Sequence, residues 1–207
     1  MLPAIIADYS LNREIERVRT TFQKIAWFRE HKYPLTLPPA LINATTPNDE
    51  EIRGAVTTDF DEIHYATVAA TLQSGWQHVG ATCERSLFDL FPSLTREVTV
   101  RLTCYGVGGS YHAPATIVTN IALRTNPEDL QKTLLHETIH LGLRTLVEEE
   151  SLDHWVKERL VDRISEKVNS KYGRLQKISA DVSHVDEVFD AAFPDIQAIA
   201  TTLRKQI

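Results

Sequence analysis

The chain has 207 residues, 43% of them hydrophobic, which is enough apolar material for a substantial core, and no repeat or Pro/Gly/Ser-rich linker divides it, so one domain over 1–207 is expected. Its 22 Lys and Arg against 28 Asp and Glu leave a net charge of −6, which argues against a nucleic-acid partner because phosphate binding needs a concentrated basic surface. No signal peptide or membrane-spanning run is visible, so no membrane partner and a cytoplasmic location are expected, although export without a cleaved signal would leave no mark in the sequence.

From the N-terminus, Pro3 to Ala7 is a weak strand candidate ended by Asp8. Helical periodicity follows from Leu11 to about Glu30, and again from Asp59 to about Leu90 with a break expected near Gly75 or Gly80. The proline-rich stretch Pro34 to Pro47 reads as a loop. Val98, Val100, Leu102 and Cys104 alternate with Thr99, Arg101, Thr103 and Tyr105, the pattern of a strand with one buried face. Gly106 to His112 reads as a flexible loop over a cleft, since no lysine follows its glycines as a phosphate cradle would require. Thr116 to Leu123 is again strand-like. Cys83 and Cys104 lack the paired spacing of thiolate metal sites and read as reduced packing residues.

The richest segment is His136-Glu137-Thr138-Ile139-His140. Two imidazoles four residues apart leave one helical face on successive turns, so both can hold one zinc ion. Glu137 then stands beside the metal, where it can take a proton from water as a general base. Asn126, Pro127, Glu128 and Asp129 supply a helix start, and Leu130, Leu134, Ile139 and Leu143 give that helix a buried stripe close to both histidines.

A catalytic zinc commonly takes three protein ligands, and three candidates follow: Glu148-Glu149-Glu150, His154 and Glu158. The first of these reads as a solvated turn between two helices. Glu158 is favoured by its setting, a helix with Ser151 as N-cap and an apolar stripe of Leu152, Val156, Leu160 and Ile164, with His154 as its rival. Asp162, one turn on, can accept the free ring NH of a zinc histidine. A last helix is expected from Val185 to Arg204, interrupted at Pro194.

HExxH followed on a later helix by ExxxD resembles the gluzincins, the thermolysin-like clan of zinc peptidases. The resemblance covers about thirty residues, His136 to Ile164, and the gap from His140 to Glu158 is slightly shorter than in the best-known members. It implies an α+β, zincin-like fold, mostly helical, with a small mixed sheet whose edge strand precedes the motif helix. Residues 1–125 would form a helical base and substrate strands, and 126–207 the zinc-binding and C-terminal helices. It also implies one zinc held by His136, His140 and Glu158, with Glu137 as catalytic base and Asp162 behind a ligand. Main-chain pairing of an extended peptide or protein substrate with the edge strand is expected, and chain order favours Thr116–Leu123 for that role over Val98–Tyr105. Relatives commonly stabilise the transition state with a Tyr or His; the candidates here are Tyr111, His112, Tyr172 and His184. The function so implied is zinc-dependent peptide hydrolysis; the alternatives are a zinc-binding module without turnover and a helical interaction protein.

Overall fold

A computed structural model describes residues 1–124, 126–173, 178 and 180–205. Its architecture is mixed α+β. The chain runs β1 (Ala4–Asp8), α1 (Leu11–Gln23), α2 (Ile25–Glu30), β2 (Leu35–Thr36), α3 (Asp49–Asp59), α4 (Glu62–Ala81), α5 (Leu87–Leu90), β3 (Glu97–Thr103), β4 (Gly106–Val107), β5 (Gly109–His112), β6 (Thr116–Asn120), α6 (Pro127–Glu150), α7 (His154–Val168), α8 (Ser183–Ala192) and α9 (Ile196–Arg204). Among the described residues no helix is long and apolar enough to cross a membrane.

Four strands form the main sheet in the order β1-β3-β6-β5. β1 and β6 flank β3 in parallel, and β5 closes one edge antiparallel to β6, with Tyr111 opposite Ile117. β2 and β4 make a separate antiparallel pair. The alternation read in β3 is realised: Val98, Val100 and Leu102 are buried in the main core with Leu72 and Trp76 of α4, Leu135 and Ile139 of α6, Leu160 of α7 and Phe189 of α8. The opposite sheet face meets α1, and a second core of Ile15, Val18, Leu41, Ile52, Val56 and Tyr105 lies on that side.

Several expectations are corrected. The first helical stretch ends at Gln23 and restarts at Ile25, and α3 is an additional helix started by an Asn48–Glu51 capping box. α4 begins after Asp61, whose carboxylate accepts from Ile63 N and His64 N, and runs unbroken through Gly75 and Gly80 to Ala81. Each glycine costs a helix interior only about 1 kcal/mol relative to alanine, and burial of Leu72, Trp76 and Val79 outweighs it. β1 extends through Asp8, since backbone pairing with Arg101 does not depend on an apolar side chain there. Within 34–47 only β2 and a short 3₁₀ turn, Pro39–Leu41, interrupt the loop.

Two corrections bear on the site. Thr116–Leu123 is not an edge: its strand, β6, lies between β3 and β5, and neither is Val98–Tyr105, whose strand lies between β1 and β6. The edge near α6 is β5, drawn from the segment read as a loop. Ser151 does not start the helix that carries Glu158; it ends α6 in the left-handed region at φ 52°, and Asp153 caps α7 by accepting from Trp155 N at 2.8 Å. Glu148–Glu150 therefore form the last turn of α6, with Glu148 and Glu149 solvent-exposed as expected and Glu150 turned inward. Glu150 is buried and accepts from Gln197, Thr201 and Arg204 of α9, which latches the C-terminal helix onto α6. The interruption at Pro194 does divide α8 from α9. Cys83 and Cys104 are both free, and Cys104 is half-buried just beyond the end of β3.

Candidate metal centre

α6 begins as its sequence indicates, with Asn126 accepting from Glu128 N at 2.9 Å and Pro127 in the first turn, where its missing N–H costs no helical bond. Leu130, Leu134, Ile139 and Leu143 pack into the main core. That packing fixes the rotation of the helix and sets His136 and His140 side by side, facing α7. α7 is braced from its outer side by α8, where Arg159 forms a two-pronged ion pair with Asp186, at 2.9 and 2.6 Å, and Arg163 reaches Asp190 at 2.5 Å. The bracing holds Glu158 against the histidines.

The resulting cluster is tight. His136 Nε2 and His140 Nε2 stand 3.0 Å apart, and the Glu158 carboxylate lies 3.3 Å from the first and 3.4 Å from the second. A tetrahedral zinc with bonds of about 2.0–2.1 Å sets its ligand atoms about 3.3 Å apart; with one ligand atom from each, these three side chains lie within 4.8 Å of one another, close enough to hold such an ion after small side-chain adjustments. Asp162, fully buried one turn beyond Glu158, has Oδ1 3.6 Å from His136 Nδ1. Its position orients the His136 ring with Nε2 towards the cluster. His154 Nδ1 lies 4.0 Å from Glu158 Oε1 on a largely exposed side chain, outside the group of three.

The electrostatics follow from crowding ionisable groups into a buried volume. Burial by itself would lower the His136 imidazole, but Asp162 and Glu158 beside it raise it to about 9. Burial also disfavours the Glu158 carboxylate, yet His136 and His140 hold it well below the usual carboxylate range. His140 is lowered, chiefly by burial, and burial pushes Glu137 up to about 7. The carboxylates of Glu158 and Asp162 thus favour positive charge at the imidazoles, which is the environment a metal cation needs.

Glu137 is buried on the α6 face that meets β5. A Cβ built on Gly109 would lie 2.7 Å from Glu137 Oε1 and 3.0 Å from Thr133 Cγ2, so the glycine is what allows the edge strand to approach the carboxylate. Side chains alternate along β5, and Tyr111 falls on the same side, with its ring stacked on His140 at 4.9 Å and 9° between planes. Ser110 and His112 face the other way; His112 borders a cleft of about 320 Å³ between α1 and the sheet. Of the four candidates for transition-state stabilisation, the structure brings Tyr111 alone against a cluster side chain. Tyr172 is buried in the main core after α7, and His184 stands on the first turn of α8.

Gly109 and Thr133 were not singled out in the sequence, nor was Arg124, whose Nε donates to Thr133 Oγ1 at 3.1 Å on the same side as Glu137. The available signal was the short alternation Gly109-Ser110-Tyr111-His112 immediately ahead of an apolar strand. Comparisons with protein-family models, with curated proteins and with solved structures find no match for this chain.

Proposed function

We propose that this chain is a zinc-dependent peptidase of gluzincin type, with a zincin-like fold and an extended peptide or protein as substrate. The observation that carries the reading is the convergence of His136, His140 and Glu158 at 3.0–3.4 Å with Glu137 buried beside them. Zinc held by these three side chains would lower the pKa of water and polarise a carbonyl oxygen. Glu137 accepts the proton of the attacking water on its carboxylate and returns it to the leaving amine. Asp162 keeps the His136 ring in place, and the flat contact of Tyr111 with His140 limits that ring's rotation while covering it from solvent. The free edge of β5, antiparallel to β6 and next to Glu137, offers the main-chain groups with which an extended peptide can pair. Pairing through the main chain suits many side-chain sequences.

The test has two arms. Untagged protein should carry about one zinc per chain, and Glu158→Ala much less, by elemental analysis at equal purity. Glu137→Gln should keep the metal yet lose about 10²- to 10⁴-fold in hydrolysis of an unfolded protein substrate. Equal zinc in wild type and Glu158→Ala removes Glu158 from the site, and no zinc in either after reconstitution refutes the reading.

A further inference from the structure

The segment from Lys24 to Tyr33 carries aromatic surface that the fold does not use. Trp27 and Tyr33 are 48% and 44% exposed, and neither they nor Phe28 join either hydrophobic core. They pack on one another instead: Trp27 stacks on His31 at 4.2 Å and on Tyr33 at 5.3 Å, and Phe28 meets the Tyr33 ring edge-on. The arrangement is built. Lys32 adopts the left-handed conformation at φ 56°, which a non-glycine residue takes only against steric resistance, and Tyr33 N then donates back to Phe28 O at 2.9 Å. This turn folds Tyr33 onto Trp27. Below it, Ile25 is buried and Phe22 of α1 packs on the second core, so α2 stands as a short anchored stub with an aromatic tip.

The charges around the tip are opposite in sign to those of the molecule. Lys24, Arg29 and Lys32 against Glu30 make the segment net +2 in a chain of net charge −6, and all four side chains are exposed. We infer that this tip is a docking surface for an anionic lipid bilayer. Trp, Tyr and Phe are the side chains that favour the interface between headgroups and acyl chains, and neighbouring Lys and Arg are drawn to the negative surface potential of acidic lipids. A single-stranded nucleic acid fits less well. It needs free ring faces for its bases and a basic track along its backbone, whereas here the rings stack on each other and two net charges cannot follow several phosphates. That no helix among the described residues is long and apolar enough to cross a membrane does not bear on attachment at the surface. Two residues beyond Tyr33 begins β2, which pairs with β4 immediately ahead of the edge strand β5, so the tip connects directly to the flank of the candidate substrate edge.

Co-sedimentation of the full chain with vesicles tests this, and it is independent of whether the metal centre is catalytic. The protein should sediment with phosphatidylcholine vesicles containing phosphatidylserine and weakly with phosphatidylcholine alone. Trp27→Ala with Tyr33→Ala should abolish binding. Arg29→Gln and Lys32→Gln should each weaken it about five-fold, and added salt should weaken it further. Because these side chains lie outside both cores, unchanged melting curves verify that the variants are folded. No sedimentation with either vesicle, or sedimentation that ignores the substitutions, overturns the inference. So does a result in which the same substitutions abolish self-association or oligonucleotide binding while vesicles are not bound.

Discussion

Gly109 illustrates how a site of this kind depends on a missing side chain. Any Cβ there would press on Glu137 Oε1 at 2.7 Å and on Thr133 Cγ2 at 3.0 Å, so the Glu137 carboxylate must shift to admit it. On the proposed peptidase reading, Gly109→Ala should leave zinc content unchanged while lowering kcat/KM about 10- to 100-fold, the size of loss that a displacement of about 1 Å in a catalytic group produces; steady-state kinetics beside elemental analysis separates the two. Asp162→Asn addresses the metal and not the base. An amide in place of the carboxylate removes the charge that supports the His136 ring, and zinc affinity measured by competition with a chelator should weaken about 10- to 100-fold. Of these residues, His136, Glu137 and His140 stood out in sequence by residue type and spacing, whereas Glu158 and Asp162 were candidates whose approach to the histidines the sequence did not fix. Gly109 was not, since a glycine acquires meaning only from the atoms that approach it.

Among the elements, the edge strand β5 and the helix α7 depend most on their neighbours. α7 carries Glu158 and Asp162 towards the histidines and Arg159 and Arg163 towards α8, so its ion pairs with α8 set how firmly Glu158 meets the histidines. Arg159→Ala should lower stability by about 1 kcal/mol, because the pair is two-pronged but only partly shielded from water. In a domain of this size that corresponds to a melting temperature lower by about 2–4 °C, read by thermal denaturation. Element type was legible where local signals were strong: the Asn126 cap, the β3 alternation and the break before α9. The segment 106–112 was read as a loop because its glycines favour no regular structure alone. Gly106–Val107 becomes strand by pairing with β2, and Gly109–His112 because β6 offers a paired edge, with Ser110 opposite Val118 and His112 opposite Thr116. The misplaced start of α7 has a similar cause. Ser151 and Asp153 are both capping residue types, and only the left-handed turn that ends α6 assigns the cap to Asp153.

At the scale of the whole molecule, the sheet separates two chemistries. One face joins the main core and the candidate metal centre, and the other holds a buried carboxylate, Glu14, which accepts from Thr103 Oγ1 and Cys104 N at 3.1 Å each. Burial raises the Glu14 pKa above its ordinary 4.5, against the opposing pull of those hydrogen bonds and of Arg17. The folded chain thus binds this proton more tightly than the unfolded chain. The associated stabilisation is complete below the ordinary value and is lost as pH rises through the raised one. Denaturant unfolding should accordingly show a smaller gain in stability for Glu14→Gln than for the wild type as pH falls towards the ordinary carboxylate value, the remainder coming from other raised groups such as Glu137. By itself the sequence determined the donor set on α6, the caps that start that helix, the buried face of β3 and the acidic balance of the chain, because each depends on residue identity or on neighbours within a few positions. Only the tertiary structure decided that Glu158 meets the histidines, that β5 is the edge beside Glu137, that Glu14 and Glu150 are buried, and that the aromatics of α2 are left outside both cores. Those outcomes depend on which distant segments pack together, and chain-local pattern carries no record of that pairing.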